Sequence, residues 1–78
     1  MIRIEVLGTG CVKCSRMYAN VLEAVKQTGA EAEVIQVKDI NSIADRGVML
    51  TPALVIDGVI RAEGRIPCVE EIVEMIQG

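Results

Sequence analysis

Residues 51–63 read TPALVIDGVIRAE. Two runs rich in β-branched and aliphatic residues flank Asp57-Gly58. Asp-Gly is a preferred two-residue turn because both central positions tolerate positive φ, so the stretch predicts an antiparallel hairpin. Pro52 stands at the mouth of the first run, where a missing N–H does least harm to a ladder. This hairpin is the clearest local signal in the chain. It commits the second half to antiparallel strands.

The first half has a different rhythm. IRIEVL, residues 2–7, alternates at period two and reads as a strand with Ile2, Ile4 and Val6 on one face. The GTG that follows breaks the pattern. From Cys14 the apolar positions are Cys14, Met17, Tyr18, Val21, Leu22 and Val25. That is the i, i+3, i+4, i+7 spacing of one helical face. Gly29 ends this helix. AEAEVIQV, residues 30–37, reads as a strand, β-rich toward its end. DINSIADRG gives a short helix capped by Asp39 or Asn41 and closed by Gly47. After Gly64, PCVEEIVEMI places Val69, Ile72, Val73 and Ile76 on one helical face. Cys68-x-x-Glu71 there has the form of a capping box with sulfur in place of the hydroxyl. The order β-α-β-α-β-β-α predicts a single α/β domain over residues 1–78, with a four-stranded mixed sheet. Its first two strands are expected to be parallel through a right-handed crossover.

Composition narrows the function classes. The chain has 78 residues, 51% of them hydrophobic, and Tyr18 is its only aromatic ring. Net charge is −3 with no basic cluster, which argues against nucleic-acid binding. No apolar run approaches the ~20 residues of a membrane span. MIRIEV alternates charge and does not read as a secretory signal, so a cytoplasmic protein is expected.

Cys11 and Cys14 form a CxxC at the start of the first helix. Three readings compete: two incidental small residues, a metal site, or a redox pair. Tetrahedral zinc wants four ligands. The chain has no His and one further cysteine. A two-coordinate soft ion such as Cu(I) still fits, so a soft-metal carrier is the alternative. Redox chemistry is favoured by a CxxC lying between a strand and a helix in a reducing compartment. Cys14 begins the apolar stripe and should be shielded, whereas Cys11 lies one turn earlier at the helix tip. An exposed thiolate attacks a disulfide, and a shielded one resolves the mixed disulfide. The helix N-terminus, with Lys13 and Arg16 nearby, favours the anion. Cys11 is the expected nucleophile and Lys13 a modulator.

Together, IRIEVLGTGCVKC, TPALVIDG and GRIPCVEEI resemble the short redox-active disulfide proteins of the thioredoxin-fold superfamily, glutaredoxin-like or minimal thioredoxins. The resemblance covers nearly the whole chain. It implies a minimal thioredoxin fold, βαβαββα, with three helices flanking the sheet. It implies Cys11 as the attacking and Cys14 as the resolving cysteine. Thr51-Pro52 matches a threonine–cis-proline pair of that fold and is expected to bind substrate, with the Thr51 main chain facing an incoming extended peptide. The resemblance further implies a monomer that needs no metal or organic cofactor. Its partners would be protein disulfides and a flavin-dependent disulfide reductase. The motif differs from that of thioredoxin in carrying Val12-Lys13 where thioredoxin has Gly-Pro.

Two residues stand apart. Topology puts Cys68 on the edge of the sheet that carries the CxxC, either as a stand-in for a serine cap or as an auxiliary thiol. Glu70 and Glu71 rank it below Cys11 in reactivity. Glu5, six residues before Cys11, lies on the charged face of the first strand and reads as a solvated or ion-paired side chain rather than a proton acceptor.

Overall fold

The computed structural model describes residues 1–9 and 12–77. The elements are β1 (Ile2–Leu7), α1 (Val12–Thr28), β2 (Ala32–Val37), α2 (Ile40–Asp45), β3 (Ala53–Ile56), β4 (Val59–Glu63) and α3 (Val69–Gln77). They follow the expected order. One sheet runs β2-β1-β3-β4. β1 pairs parallel with β2, and antiparallel with β3. β3 pairs antiparallel with β4. The architecture is α/β with a four-stranded mixed sheet and three helices, a minimal thioredoxin fold.

The hairpin turns where its sequence demands. Asp57 and Gly58 have φ of 50° and 83°, and Ile56 faces Val59 across the turn. Positive φ at both central residues marks the turn that matches strand twist. Asp57 also fixes the turn to β1: its N–H donates to the Arg3 carbonyl at 2.8 Å, and its Oδ1 accepts from the Arg3 N–H at 2.9 Å. Farther along, Leu54 faces Ala62 but Val55 faces Ile60, so Arg61 is an extra residue in β4. A bulge carrying an arginine on an edge strand discourages pairing with another sheet.

The main core lies between the sheet and the pair α1 and α3. Ile4, Val6, Met17, Val21, Leu54 and Ile72 are its centre. The stripe expected on α1 needs one correction. Leu22 is 45% exposed, and Ala24 is buried in its place. The helix rolls so that its narrowest residue meets the layer below, and the wider Leu22 stays at the margin.

A second, smaller core covers the other face, from Leu7, Ile43, Val48, Ala53 and Val55. Here α2 supplies Ile43. Asp39, not Asn41, caps α2, accepting from the Ser42 N–H at 3.1 Å. This second core explains why β1 is not half solvated, as its alternation suggests. β1 is a central strand covered on both faces, and every residue from Ile4 to Leu7 is buried.

Candidate active site

The C-terminal end of β1 and the start of β3 lie side by side, because Leu7 pairs with Ala53. Gly8 and Pro52, one residue beyond each, therefore meet at one corner of the sheet. The Gly8 N–H continues the β1–β2 ladder, donating to the Val37 carbonyl at 2.9 Å. The first turn of α1 packs over this corner and delivers Cys14 to it. Cys14 is buried, 5% exposed, as the apolar stripe predicts.

Gly8 is glycine because of that contact. A Cβ there would overlap the Cys14 Sγ and would stand 4.0 Å from the Pro52 Cα. Gly8, Cys14 and Pro52 thus share one small volume. A cleft beside it is lined by Val6, Gly8, Cys14, Ser15, Gln36 and Lys38. Lys13 is exposed at the start of α1, and that first turn carries no acidic residue. An anion beside such a turn meets unpaired N–H groups and no opposing charge. Cys11 lies outside the described residues.

The Thr51–Pro52 peptide is cis. Pro52 is buried and Thr51 is exposed. The Pro52 carbonyl accepts from the Gly64 N–H at 3.0 Å, which joins the end of β4 to this corner.

Cys68 is exposed just before α3. Its N–H donates to Glu71 Oε1 at 3.3 Å, the carboxylate half of the expected capping box. Arg65 grips the same carboxylate, with Nη2 at 3.1 Å from Oε2 and Nη1 at 3.3 Å from Oε1. The Arg65 hydrogen bond, reinforced by the Cys68 N–H, holds the Glu71 carboxyl below its ordinary range. Asn20 Nδ2 donates to the Pro67 carbonyl at 3.1 Å. α3 therefore begins level with Asn20, six residues past Cys14, or about 9 Å along α1.

Glu5 is buried, 6% exposed, and ion-paired. Its Oε2 accepts from Arg46 Nε at 2.8 Å and Nη2 at 2.5 Å. Arg46 Nη1 also donates to the Ser42 carbonyl at 3.1 Å. The hydrogen bond to Glu5 raises the Arg46 guanidinium above its already high ordinary value. Of the two expectations for Glu5, pairing holds and solvation does not. Its strand partner Val55 belongs to the second core, so Glu5 lies on the face away from Val6 and Cys14.

Sequence reasoning passed over Gly8 and Arg46. The GTG was legible as a break but not as a contact, since the contact is made with another element. Arg46 stands 41 positions from its partner, and no local pattern announces the pair. Among the described residues, no group of three or more Cys, Asp or Glu is placed to hold a metal. Among the same residues, no helix is long and apolar enough to cross a membrane.

Comparison with known proteins agrees with this geometry. A family model described as a thioredoxin domain matches residues 2–77. A thioredoxin of Methanocaldococcus jannaschii is 47% identical over 77 residues, covering 99% of this chain and 88% of the relative. A thioredoxin of Methanothermobacter thermautotrophicus is 36% identical over 76 residues, covering 97% of this chain and 99% of the relative. A solved structure of thioredoxin-2, described as a component of malaria parasite protein secretion machinery, superposes with a TM-score of 0.76 at 12% identity. It covers 99% of this chain and 82% of that one, and shows the shared fold. With a family model spanning all but its extreme ends and two relatives aligned over nearly its full length, this chain belongs to the thioredoxin-domain family.

Proposed function

We propose that this protein reduces and oxidises protein disulfides through Cys11 and Cys14. Thiol–disulfide oxidoreductase chemistry in general follows from its family. The observation that carries the residue assignment is the burial of Cys14 against Gly8 and beside Pro52. A shielded thiol at that corner suits the resolving role and leaves the attacking role to Cys11.

The exchange balances without a further cofactor. The Cys11 thiolate attacks one sulfur of the substrate disulfide, forming a mixed disulfide and expelling one substrate thiolate. The Cys14 thiolate then attacks the Cys11 sulfur, closing the Cys11–Cys14 disulfide and releasing the second substrate thiolate. Two electrons pass to the substrate, and two protons complete its thiols. A disulfide reductase, flavin-dependent by family analogy, returns the pair to the dithiol. Lys13 adds positive charge beside the developing thiolate. Thr51, exposed next to buried Pro52, offers its main chain to an extended substrate segment. The protein works in this reading as a monomer in a reducing compartment.

The test is reduction of insulin by wild type, Cys11→Ser and Cys14→Ser, with metal analysis of the purified protein. Cys11→Ser should abolish turnover, and Cys14→Ser should accumulate mixed disulfides. Full activity of Cys11→Ser, or stoichiometric bound metal in the wild type, overturns the assignment. The second result would favour the soft-metal carrier. The helix α2 between β2 and β3 already departs from the βαββαβ order of such carriers.

A further inference from the structure

Residues 49–51 cross the corner with little to anchor them. Val48 is buried, but Met49 is 88% exposed and Leu50 61% exposed. Thr51 is exposed as well, and burial resumes only at Pro52. Side-chain packing therefore does not set the path of this segment, and its backbone must be held another way.

The end of β4 holds it. Glu63 pairs with Ala53 in the hairpin register, which brings it beside the segment that precedes Pro52. One oxygen, Oε2, accepts from the Met49 N–H at 2.6 Å and from the Leu50 N–H at 3.1 Å. Bonds from backbone amides to a carboxylate are among the stronger hydrogen bonds. The next residue secures the other end, since the Gly64 N–H donates to the Pro52 carbonyl at 3.0 Å. Gly64 has φ of 73°, and a Cβ there would lie 3.1 Å from two Leu50 carbons. A residue without a side chain lets the two segments close on each other. Two consecutive residues of β4 and its turn thus clamp residues 49–52 on both sides of Thr51.

We propose that Glu63 is a positioning residue for disulfide exchange, holding residues 49–52 so that the Thr51 main chain meets an extended protein substrate. This rests on the redox reading above. Glu63 acts through the backbone amides of Met49 and Leu50. Its effect belongs to substrates large enough to pair with Thr51. A small disulfide that meets only the cysteines is insensitive to it.

The test compares wild type, Glu63→Ala and Glu63→Gln on two substrates, insulin and bis(2-hydroxyethyl) disulfide. Amide exchange at Met49 and Leu50 is followed in parallel. Glu63→Ala should raise KM for insulin about tenfold with little change in kcat, as loss of a charge-assisted contact worth ~1.4 kcal/mol implies. Its rate on the small disulfide should match wild type, and the Met49 and Leu50 amides should exchange faster. Glu63→Gln keeps an oxygen able to accept both N–H groups and should recover most of the insulin KM. An unchanged insulin KM in folded Glu63→Ala overturns the proposal while leaving the redox reading intact. An equal loss on both substrates also overturns it, because Glu63 would then support the thiols rather than the substrate. A wild type inactive on both substrates rejects the redox reading itself, and with it any role in exchange for Glu63. The amide-exchange arm then still reports whether the clamp exists.

Discussion

Gly8 and Cys14 define the corner as a pair, because the Cys14 Sγ occupies the space a side chain on Gly8 would need. Gly8→Ala should therefore destabilise the fold by about 1–3 kcal/mol, the usual range for overpacking a filled site. Urea denaturation measures that loss, and insulin reduction should fall with it as Cys14 is displaced. The same contact predicts an alkylation order. In native, reduced protein Cys68 should react with iodoacetamide much faster than Cys14, and the difference should vanish in denaturant. Peptide mass mapping after timed quenching checks this. Exposure of Cys68 and burial of Cys14 give the direction.

Two ion pairs fasten two of the helices, and pH separates them. The Arg65–Glu71 pair closes the start of α3 at the surface. Glu71 has a folded-state pKa below its ordinary 4.5. Its contribution is therefore complete above the unfolded value and is lost as pH falls through the folded one. Glu71→Gln should narrow the stability gap to wild type as the buffer is taken below about pH 4.5, read from urea midpoints. The Arg46–Glu5 pair ties the end of α2 to the centre of the sheet. The hydrogen bond to Glu5 raises Arg46 above its already high ordinary value, so its contribution is present across the neutral range and is lost only in strong alkali. Between pH 6 and 9 the Arg46 contribution should give no slope. Arg46→Ala strands a buried carboxylate and should cost about 1–3 kcal/mol, less than a fully buried pair because Arg46 is partly solvated. Replacing both partners by leucine should recover much of the loss, as measured by thermal melts.

At the scale of the molecule, one sheet carries two cores of unequal size. The larger packs under α1 and α3, and the smaller under α2. Both share β1 and β3, whose residues alternate between them. The two should consequently unfold together. Ile4→Val in the larger and Ile43→Val in the smaller should each cost about 0.5–1.5 kcal/mol. Each should leave the slope of the urea transition unchanged, with circular dichroism and tyrosine fluorescence tracing one curve. Separate transitions would show that the smaller core folds on its own account.

The elements were legible because each is written in local chemistry. Asp57-Gly58 sets its own turn, Gly29 ends α1, and the alternation in IRIEVL marks a strand whatever surrounds it. Order and strand lengths then leave few ways to build a mixed sheet, and Cys14 was placed correctly from its position on the stripe alone. What local pattern does not carry is which faces the layers cover. Alternation in β1 suggested a wet side, yet α2 and Arg46 close over it and bury Glu5. Periodicity gave α1 its face, but the roll of the helix exchanged Leu22 for Ala24. Gly8 against Cys14, Arg46 on Glu5, and Glu63 on the Met49 and Leu50 amides join positions from 6 to 41 residues apart. Such contacts depend on strand register and helix docking, which arise only when the whole chain packs. By itself the sequence determined the elements and their order. The tertiary structure decided what stands around Cys14.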